Sequence, residues 1–210
     1  MSEGHAATMA EPTWQGGGSP FAVGHKKLGM WLFIVSDTLT FSALLLAYSF
    51  ARAANDWPTP FHFMPSIVFS TVMTLVLLTS SLTMVYAVSA AHHDARRKAV
   101  KYLLLTGALG LIFVILHSYE WIHLMRDEGM YPWSNPYGTP LFGATFFGIT
   151  GLHMFHVLTG VIYLVVVARG YWRGKWLPED VEVAGLYWHF VDLVWMFVFP
   201  MIYLLSTAVD

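Results

Sequence analysis

Residues 65–91 read PSIVFSTVMTLVLLTSSLTMVYAVSAA, and this stretch decides the fold class. It contains no Asp, Glu, Lys, Arg or His over 27 positions. About 20 predominantly apolar residues suffice for a helix to cross the hydrocarbon core of a bilayer. The stretch therefore predicts a transmembrane helix, and Pro65 at its start removes no helical hydrogen bond.

Four further apolar stretches of at least 22 residues complete the pattern. They are residues 28–50, 99–124, 140–168 and 185–206. The sequence predicts an all-α integral membrane protein, a bundle of five transmembrane helices within residues 25–210. Pro200 falls inside the fifth stretch and is expected to bend it. Residues 1–24 lack an apolar run and are expected to form a flexible cytoplasmic tail, not a signal peptide.

The composition agrees with a membrane protein. Charged residues make up 11% of the chain and hydrophobic residues 56%, which leaves too few charges to cover the surface of a soluble enzyme. The formal net charge of −2 argues against a nucleic-acid partner. Cysteine is absent, which excludes disulfides, iron–sulfur clusters and thiolate zinc sites.

The basic residues predict the orientation of the helices. Nine of the eleven fall on the side of the N-terminus, and only Arg52 and Arg126 fall on the other. Because cytoplasmic loops carry the excess of lysine and arginine, the N-terminus is predicted in the cytoplasm and the C-terminus outside. The nine are Lys26, Lys27, Arg96, Arg97, Lys98, Lys101, Arg169, Arg173 and Lys175.

Several ionisable side chains lie inside the apolar stretches. Placing one such side chain in the middle of a membrane helix costs about 2.5–3.5 kcal/mol on insertion scales. Each therefore indicates a partner, a polar pocket or a pathway. His117 and Glu120, His153 and His156, and His189 and Asp192 form pairs three residues apart, together with a single Asp37. The pairs either bind helices together as buried polar contacts or carry a function.

Two functional alternatives use such residues. A redox-metal site is not predicted, because His153 and His156 share one helix face and a Glu-x-x-His sequence occurs only once, at Glu120 and His123. A proton-coupled transporter stays open, although neither inverted repeats nor paired broken helices are visible.

Four motifs in order resemble subunit III of haem–copper terminal oxidases. The similarity covers about residues 26–206, and Glu182 also matches the family in place. The motifs are YWHFVDLVW at 187–195, TGLHMFHV at 150–157, FIVSD at 33–37 and YEW at 119–121. Mitochondrial members have seven helices and usually glutamate at the position of Asp37. Five helices are similar to the shorter form in bacterial quinol oxidases and some bacterial cytochrome c oxidases.

The resemblance implies a non-catalytic subunit of a proton-pumping oxidase in the plasma membrane of a bacterial cell. The chain itself would carry no catalytic residue, haem or copper, since haem and copper belong to partner subunits. It would pack on the haem-bearing subunit I, support proton uptake and bind phospholipid, within the oxidase or a larger respiratory supercomplex. An accessory subunit of a nitric-oxide reductase is the alternative with a similar five-helix pattern.

The ionisable residues in the apolar stretches and the family resemblance together give the candidate site residues. Asp37 is either a proton- or lipid-coupled site or a packing contact, and Glu120 is expected to make a partner or interfacial contact. The proton-uptake or structural candidates are Asp37, Glu120, His153, His156, Glu182, His189 and Asp192. The lipid-binding candidates are Arg96, Arg97, Lys98, Lys101 and Trp188. Gly148 and Gly151 are expected to share a smooth packing strip on the fourth helix.

Overall fold

A computed structural model describes residues 24–208 and contains five helices long and apolar enough to cross a membrane. They are α1 (His25–Ala54), α2 (Val68–His92), α3 (Arg96–Arg126), α4 (Pro140–Trp172) and α5 (Pro178–Val198). The predicted five-helix membrane architecture is confirmed. The predicted tail lies outside the described residues except for Gly24.

Each helix extends beyond its apolar stretch at one end or both, because a helix continues past the hydrocarbon core while the hydropathy signal stops there. Helix α5 begins at Pro178, seven residues before the predicted residue 185, and its α-helical part ends at Val198, eight residues before the predicted residue 206. Pro178 suits a first helical position, where an N–H would have no helical partner. The Asp180 carboxylate accepts the Leu177 N–H at 2.8 Å and stabilises this start.

Two prolines lie in π-helical turns. Pro65 belongs to the turn Phe63–Ile67, which leads into α2. Pro200 belongs to the turn Phe199–Tyr203, which follows α5 and continues into a 3₁₀ turn at Leu204–Ser206. Because proline has no N–H to donate, the α-helical hydrogen-bond pattern ends immediately before Pro200.

The bundle has two distinct ends. At the end that we call the basic end, Lys26 pairs with Asp180 at 2.6 Å and Lys27 pairs with Glu182, so α1 and α5 begin side by side. At the opposite end, the loop end, Phe61 accepts a backbone hydrogen bond from Ala208 at 2.9 Å. The α1–α2 and α3–α4 loops therefore share the loop end with the last turn of the chain.

Helix α5 is the most buried helix and Trp188 lies at its centre. The Trp188 side chain is fully buried, and its indole N–H donates to Ser80 Oγ of α2 at 3.0 Å. Gly110 of α3 and Gly160 of α4 face the indole, where a side chain would collide with it. The prediction that Trp188 contacts lipid is therefore wrong, because its ring has no surface outside the bundle.

The glycines of α4 do not form the predicted common strip. Gly151 packs against the Trp121 ring, whereas Gly148 is exposed and a Cβ there would meet open space. A spacing of three residues places the two positions about 60° apart around the helix, which is enough to separate the packed face from the membrane-facing one.

Gly160→Ala is predicted to destabilise the protein. A Cβ at this position would lie 2.9 Å from Tyr187 Cε1 and 3.0 Å from Trp188 Cζ3. We expect a cost of about 1–3 kcal/mol from overpacking, which outweighs the gain of about 1 kcal/mol in helix propensity. Thermal unfolding in detergent measures the change.

Gly148→Ala in the same helix is the matched control. It gains the same helix propensity, and its new Cβ contacts no neighbouring atom. This variant should be as stable as the parent or slightly more stable. Equal melting temperatures for the two alanine variants would contradict the close packing around Trp188.

Candidate functional site

Asp37 of α1 and His156 of α4 form a partly buried polar contact within the bundle. Asp37 Oδ2 lies 3.3 Å from His156 Nε2, and the side chains are 13% and 12% exposed. This approach does not have hydrogen-bond geometry, and Asp37 Oδ2 has no hydrogen-bond partner within the described residues. Asp37 lies ten residues after Lys27, or about 15 Å along the helix, which is near the middle of a bilayer.

A backbone carbonyl determines the protonation of the His156 ring. His156 Nδ1 lies 2.8 Å from Leu152 O. Because a carbonyl only accepts, Nδ1 carries a proton and donates it. The other ring nitrogen, Nε2, is left free by that bond and faces the Asp37 carboxyl.

Aromatic side chains enclose this contact. The Phe41 ring lies edge-on to the His156 ring, with centroids 5.3 Å apart. The Tyr187 hydroxyl donates to His156 O at 3.0 Å and lies 3.1 Å from Thr159 Oγ1. These contacts hold His156 in place and position the aspartate–histidine contact between α1, α4 and α5.

A second polar cluster lies between α2 and α5. Ser81 Oγ lies 2.6 Å from His189 Nδ1, while both carboxyl oxygens of Asp192 are buried without a hydrogen-bond partner in the described structure. Asp192 lies beside Ser81, as His189 does, and the contact of Asp37 is with His156 instead.

A third cluster consists of histidines among aromatic rings. His153 and His117 are both fully buried. His153 Nε2 lies 3.1 Å from Val191 O, and its ring lies 4.8 Å from the Trp195 ring. The His117 ring lies 5.5 Å from Trp195, and neither of its nitrogens has a partner within the described residues. These contacts indicate a packing role for both histidines.

Glu120 is bonded inside the chain near the loop end. Its side chain is 7% exposed, Ser70 Oγ lies 2.8 Å from Oε1, and Tyr203 O–H donates to Oε2 at 2.7 Å. The expectation that Glu120 contacts a partner or the membrane interface does not agree with these two internal hydrogen bonds.

The residues that sequence reasoning missed are the hydroxyls of α2. Besides Ser70 and Ser81, Thr74 Oγ1 accepts the Trp195 indole N–H at 2.9 Å and Ser80 accepts that of Trp188. The available signal was the spacing of Ser70, Thr74 and Ser81, which are four and seven residues apart and so lie on one face of the helix, with Ser80 adjoining Ser81.

The basic end holds the remaining candidates. Glu182 pairs with Lys27 and lies 4.0 Å from His92 Nε2. The Arg96 guanidinium lies 5.8 Å from the centre of the Tyr171 ring, so it packs against α4. The other three basic candidates are exposed and make no ion pair in the part of the chain that the structure describes: Arg97, Lys98 and Lys101.

The α3–α4 loop is held by its own polar contacts. Asn135 donates a side-chain N–H to Thr139 O at 2.8 Å, and Tyr137 donates its O–H to Glu128. Burial, followed by the Glu128 carboxylate, raises the pKa of the Tyr137 phenol, since an ionised phenolate would be poorly solvated and would repel the carboxylate.

No metal-ligand cluster lies in the described region. Among residues 24–208, no group of three or more His, Asp or Glu side chains is arranged to hold an ion. The buried histidines bond to backbone carbonyls and hydroxyls or pack against aromatic rings instead.

Known proteins are similar in sequence to this chain over most of its length. The family profile for cytochrome c oxidase subunit III matches residues 5–207. The cytochrome c oxidase subunit 3 of Alkalihalophilus pseudofirmus is 33% identical over 88% of each chain, and that of Bacillus subtilis is 34% identical over 87%. A cytochrome bo(3) ubiquinol oxidase subunit 3 from Pseudomonas aeruginosa is 29% identical over 87% of this chain and 86% of its own.

The bacterial relatives and the five apolar helices agree with a multi-pass protein of the plasma membrane. Its relatives are third subunits of respiratory oxidoreductase complexes that consist of several chains. The chain thus belongs to the cytochrome c oxidase subunit III family of the haem–copper oxidases.

Proposed function

We propose that this chain is the non-catalytic third subunit of a proton-pumping terminal oxidase, where it stabilises the haem-bearing subunit and supports proton uptake. The observation that carries the proposal is the partly buried contact of Asp37 with His156. In this proposal the two side chains share one exchangeable proton near the middle of the membrane. A packing contact alone would not need an ionisable pair, because an amide or hydroxyl makes the same hydrogen bonds.

The exposed surface of α1 supports a large contact with the haem-bearing subunit. Only three residues of this thirty-residue helix are buried, Ile34, Phe41 and Tyr48, each seven positions from the next. They form one narrow stripe against the bundle, and most other apolar side chains of α1 point outward. A groove between α1 and α5, lined by Phe41 and Phe190 among others, continues this surface. A partner helix and phospholipid chains can occupy it.

Phospholipid binding is part of the proposal at the basic end. Arg97, Lys98 and Lys101 are exposed beside the predicted cytoplasmic surface, where cationic side chains attract anionic headgroups. Arg96 packs on Tyr171 and contributes less to such a site.

Asp37→Asn tests the proton role. Asparagine keeps the shape and can donate its amide N–H to His156 Nε2, but it removes the exchangeable proton. We expect an assembled complex whose oxygen consumption slows at alkaline pH, where protons are scarce, or which is inactivated faster during turnover. Oxygen-electrode assays across pH, with haem absorbance as the measure of assembly, give both quantities.

Ser36→Ala provides the matched control, because the Ser36 hydroxyl bonds only to the Phe33 carbonyl of its own helix. It should leave turnover and inactivation unchanged. Asp37→Leu leaves His156 unpaired in the membrane, at about 1–3 kcal/mol, and should reduce assembly as well. If Asp37→Asn behaves as the parent up to high pH, the pair serves packing only.

The proposed orientation has its own test. With the basic end in the cytoplasm, alkaline phosphatase fused after Asp210 should be active, and the same enzyme fused after Lys175 should be inactive, because it folds only outside the cytoplasm. The reverse pattern of activities would place the basic end outside.

A visible spectrum separates the oxidase role from the nitric-oxide reductase and transporter alternatives. We expect a complex isolated through a tag on this chain to contain haem and copper in the partner chains and to reduce oxygen. Haem with nitric-oxide reduction but no copper would favour the reductase, and a preparation without haem would favour a transporter.

A further inference from the structure

A cavity lies at the loop end, between the π-turn before α2 and the end of α3. Its volume is about 460 Å³, and its wall includes Ser66, Phe69, Tyr119, Glu120 and His123. This volume lies within the range of about 300–1,000 Å³ that is usual for small-molecule sites. None of the residues involved belongs to the contact of Asp37 with His156.

The walls of the cavity are aromatic. The rings of Phe69 and Tyr119, which both line it, lie 6.0 Å apart. Phe61 also lines the cavity, is buried and stacks on Tyr203 at 5.2 Å. Three aromatic rings in the wall favour a flat ring as the occupant, because such rings gain contact area and favourable ring–ring geometry together.

Two polar groups lie three residues apart on the same side of α3 and reach the cavity. The Glu120 carboxyl is held by Ser70 and Tyr203, one at each oxygen. Each carboxyl oxygen has two lone pairs, so one acceptor site per oxygen remains. The second polar group is His123. Its Nδ1 is hydrogen-bonded to the Asp127 carboxylate, so its Nε2 is left for another partner. The pair therefore presents an oxygen acceptor and a ring nitrogen to one ligand.

The mouth of the cavity is apolar. Tyr119 lines the cavity and is 63% exposed, and Phe63 and Met64, which precede the lining residue Pro65, are 69% and 71% exposed. A ligand would accordingly arrive from the membrane. No lysine or arginine lies among the lining residues. A phosphate headgroup would find no fixed cation there, and a neutral hydroxylated headgroup would find two suitable partners.

We propose that this cavity binds a neutral membrane amphiphile with a flat dihydroxylated ring, the chemistry of an isoprenoid quinol. One hydroxyl donates to the Glu120 carboxyl and the other bonds to His123 Nε2. The ring lies against the aromatic rings of the wall, and the isoprenoid tail leaves through the apolar mouth. The proposal concerns binding only and assigns no electron transfer to the site.

Binding of decylhydroquinone to the complex in phosphatidylcholine nanodiscs tests the proposal. An excess of dithionite keeps the probe and the haems reduced, and equilibrium dialysis gives affinity and stoichiometry. Ser66→Phe fills the cavity and should remove one binding site per complex. Glu120→Gln retains a donor and an acceptor for Ser70 and Tyr203 but loses one carboxyl oxygen, so it should weaken this site about tenfold, as expected for one hydrogen bond.

Val68→Phe is the matched control, because it adds the same ring on a neighbouring position of α2 that is 40% exposed and does not line the cavity. It should keep the full stoichiometry. Haem absorbance and monodisperse elution show that each variant is assembled, and if Ser66→Phe fails this check, Ser66→Leu replaces it with the same expected loss of one site.

Two results would overturn the assignment. The first is that the Ser66 and Glu120 variants bind decylhydroquinone with the same stoichiometry and affinity as the parent. Any bound quinol would then lie in another subunit. The second is loss of bound phosphatidylcholine, without loss of decylhydroquinone, in the cavity-filling variant, since an acyl chain would then be the occupant. A chain that purifies without haem would contradict the oxidase role, and dialysis on that chain would still test the cavity.

Discussion

Hydrogen bonds between α2 and α5 are the interaction on which the rest of the bundle depends. A bilayer has no water to satisfy polar groups, so each indole and imidazole of α5 needs a partner within the protein. Ser80, Thr74 and Ser81 supply hydroxyls for Trp188, Trp195 and His189. Three contacts along one helix pair determine its register, because a shift by one residue would leave all three groups unsatisfied.

The other helices pack on this pair in order of decreasing burial. Gly110 and Gly160 allow α3 and α4 to approach the Trp188 ring that α2 already holds. Helix α1 comes last, with a narrow buried stripe, two ion pairs at the basic end and the contact of Asp37 with His156. It is therefore the helix whose surroundings a partner subunit can complete, and it carries the residue on which the proposed proton role depends.

The polar groups of the bundle differ in what surrounds them, and this difference separates the proposed functions. His117 and His153 lie wholly among aromatic rings and backbone, so they serve packing. Asp37 and His156 face each other at 3.3 Å near the centre of the membrane, and the proposed proton role rests on this contact. Glu120 is also bonded internally, but it borders a cavity that opens beside exposed apolar side chains. A buried acid thus supports packing, proton exchange or ligand binding according to its neighbours.

The sequence alone determined the membrane class, the five helices, the basic asymmetry and the family, because hydropathy, charge and motifs are properties of the chain itself. Only the tertiary structure decided which residues meet: Trp188 is in the core, Gly148 is exposed, and the rings of His153 and His156 contact different helices although they are three residues apart. In water, apolar periodicity shows the buried face of a helix. In a bilayer, both the lipid-facing and the protein-facing sides are apolar, so periodicity cannot separate them, and close packing and hydrogen bonding make that choice.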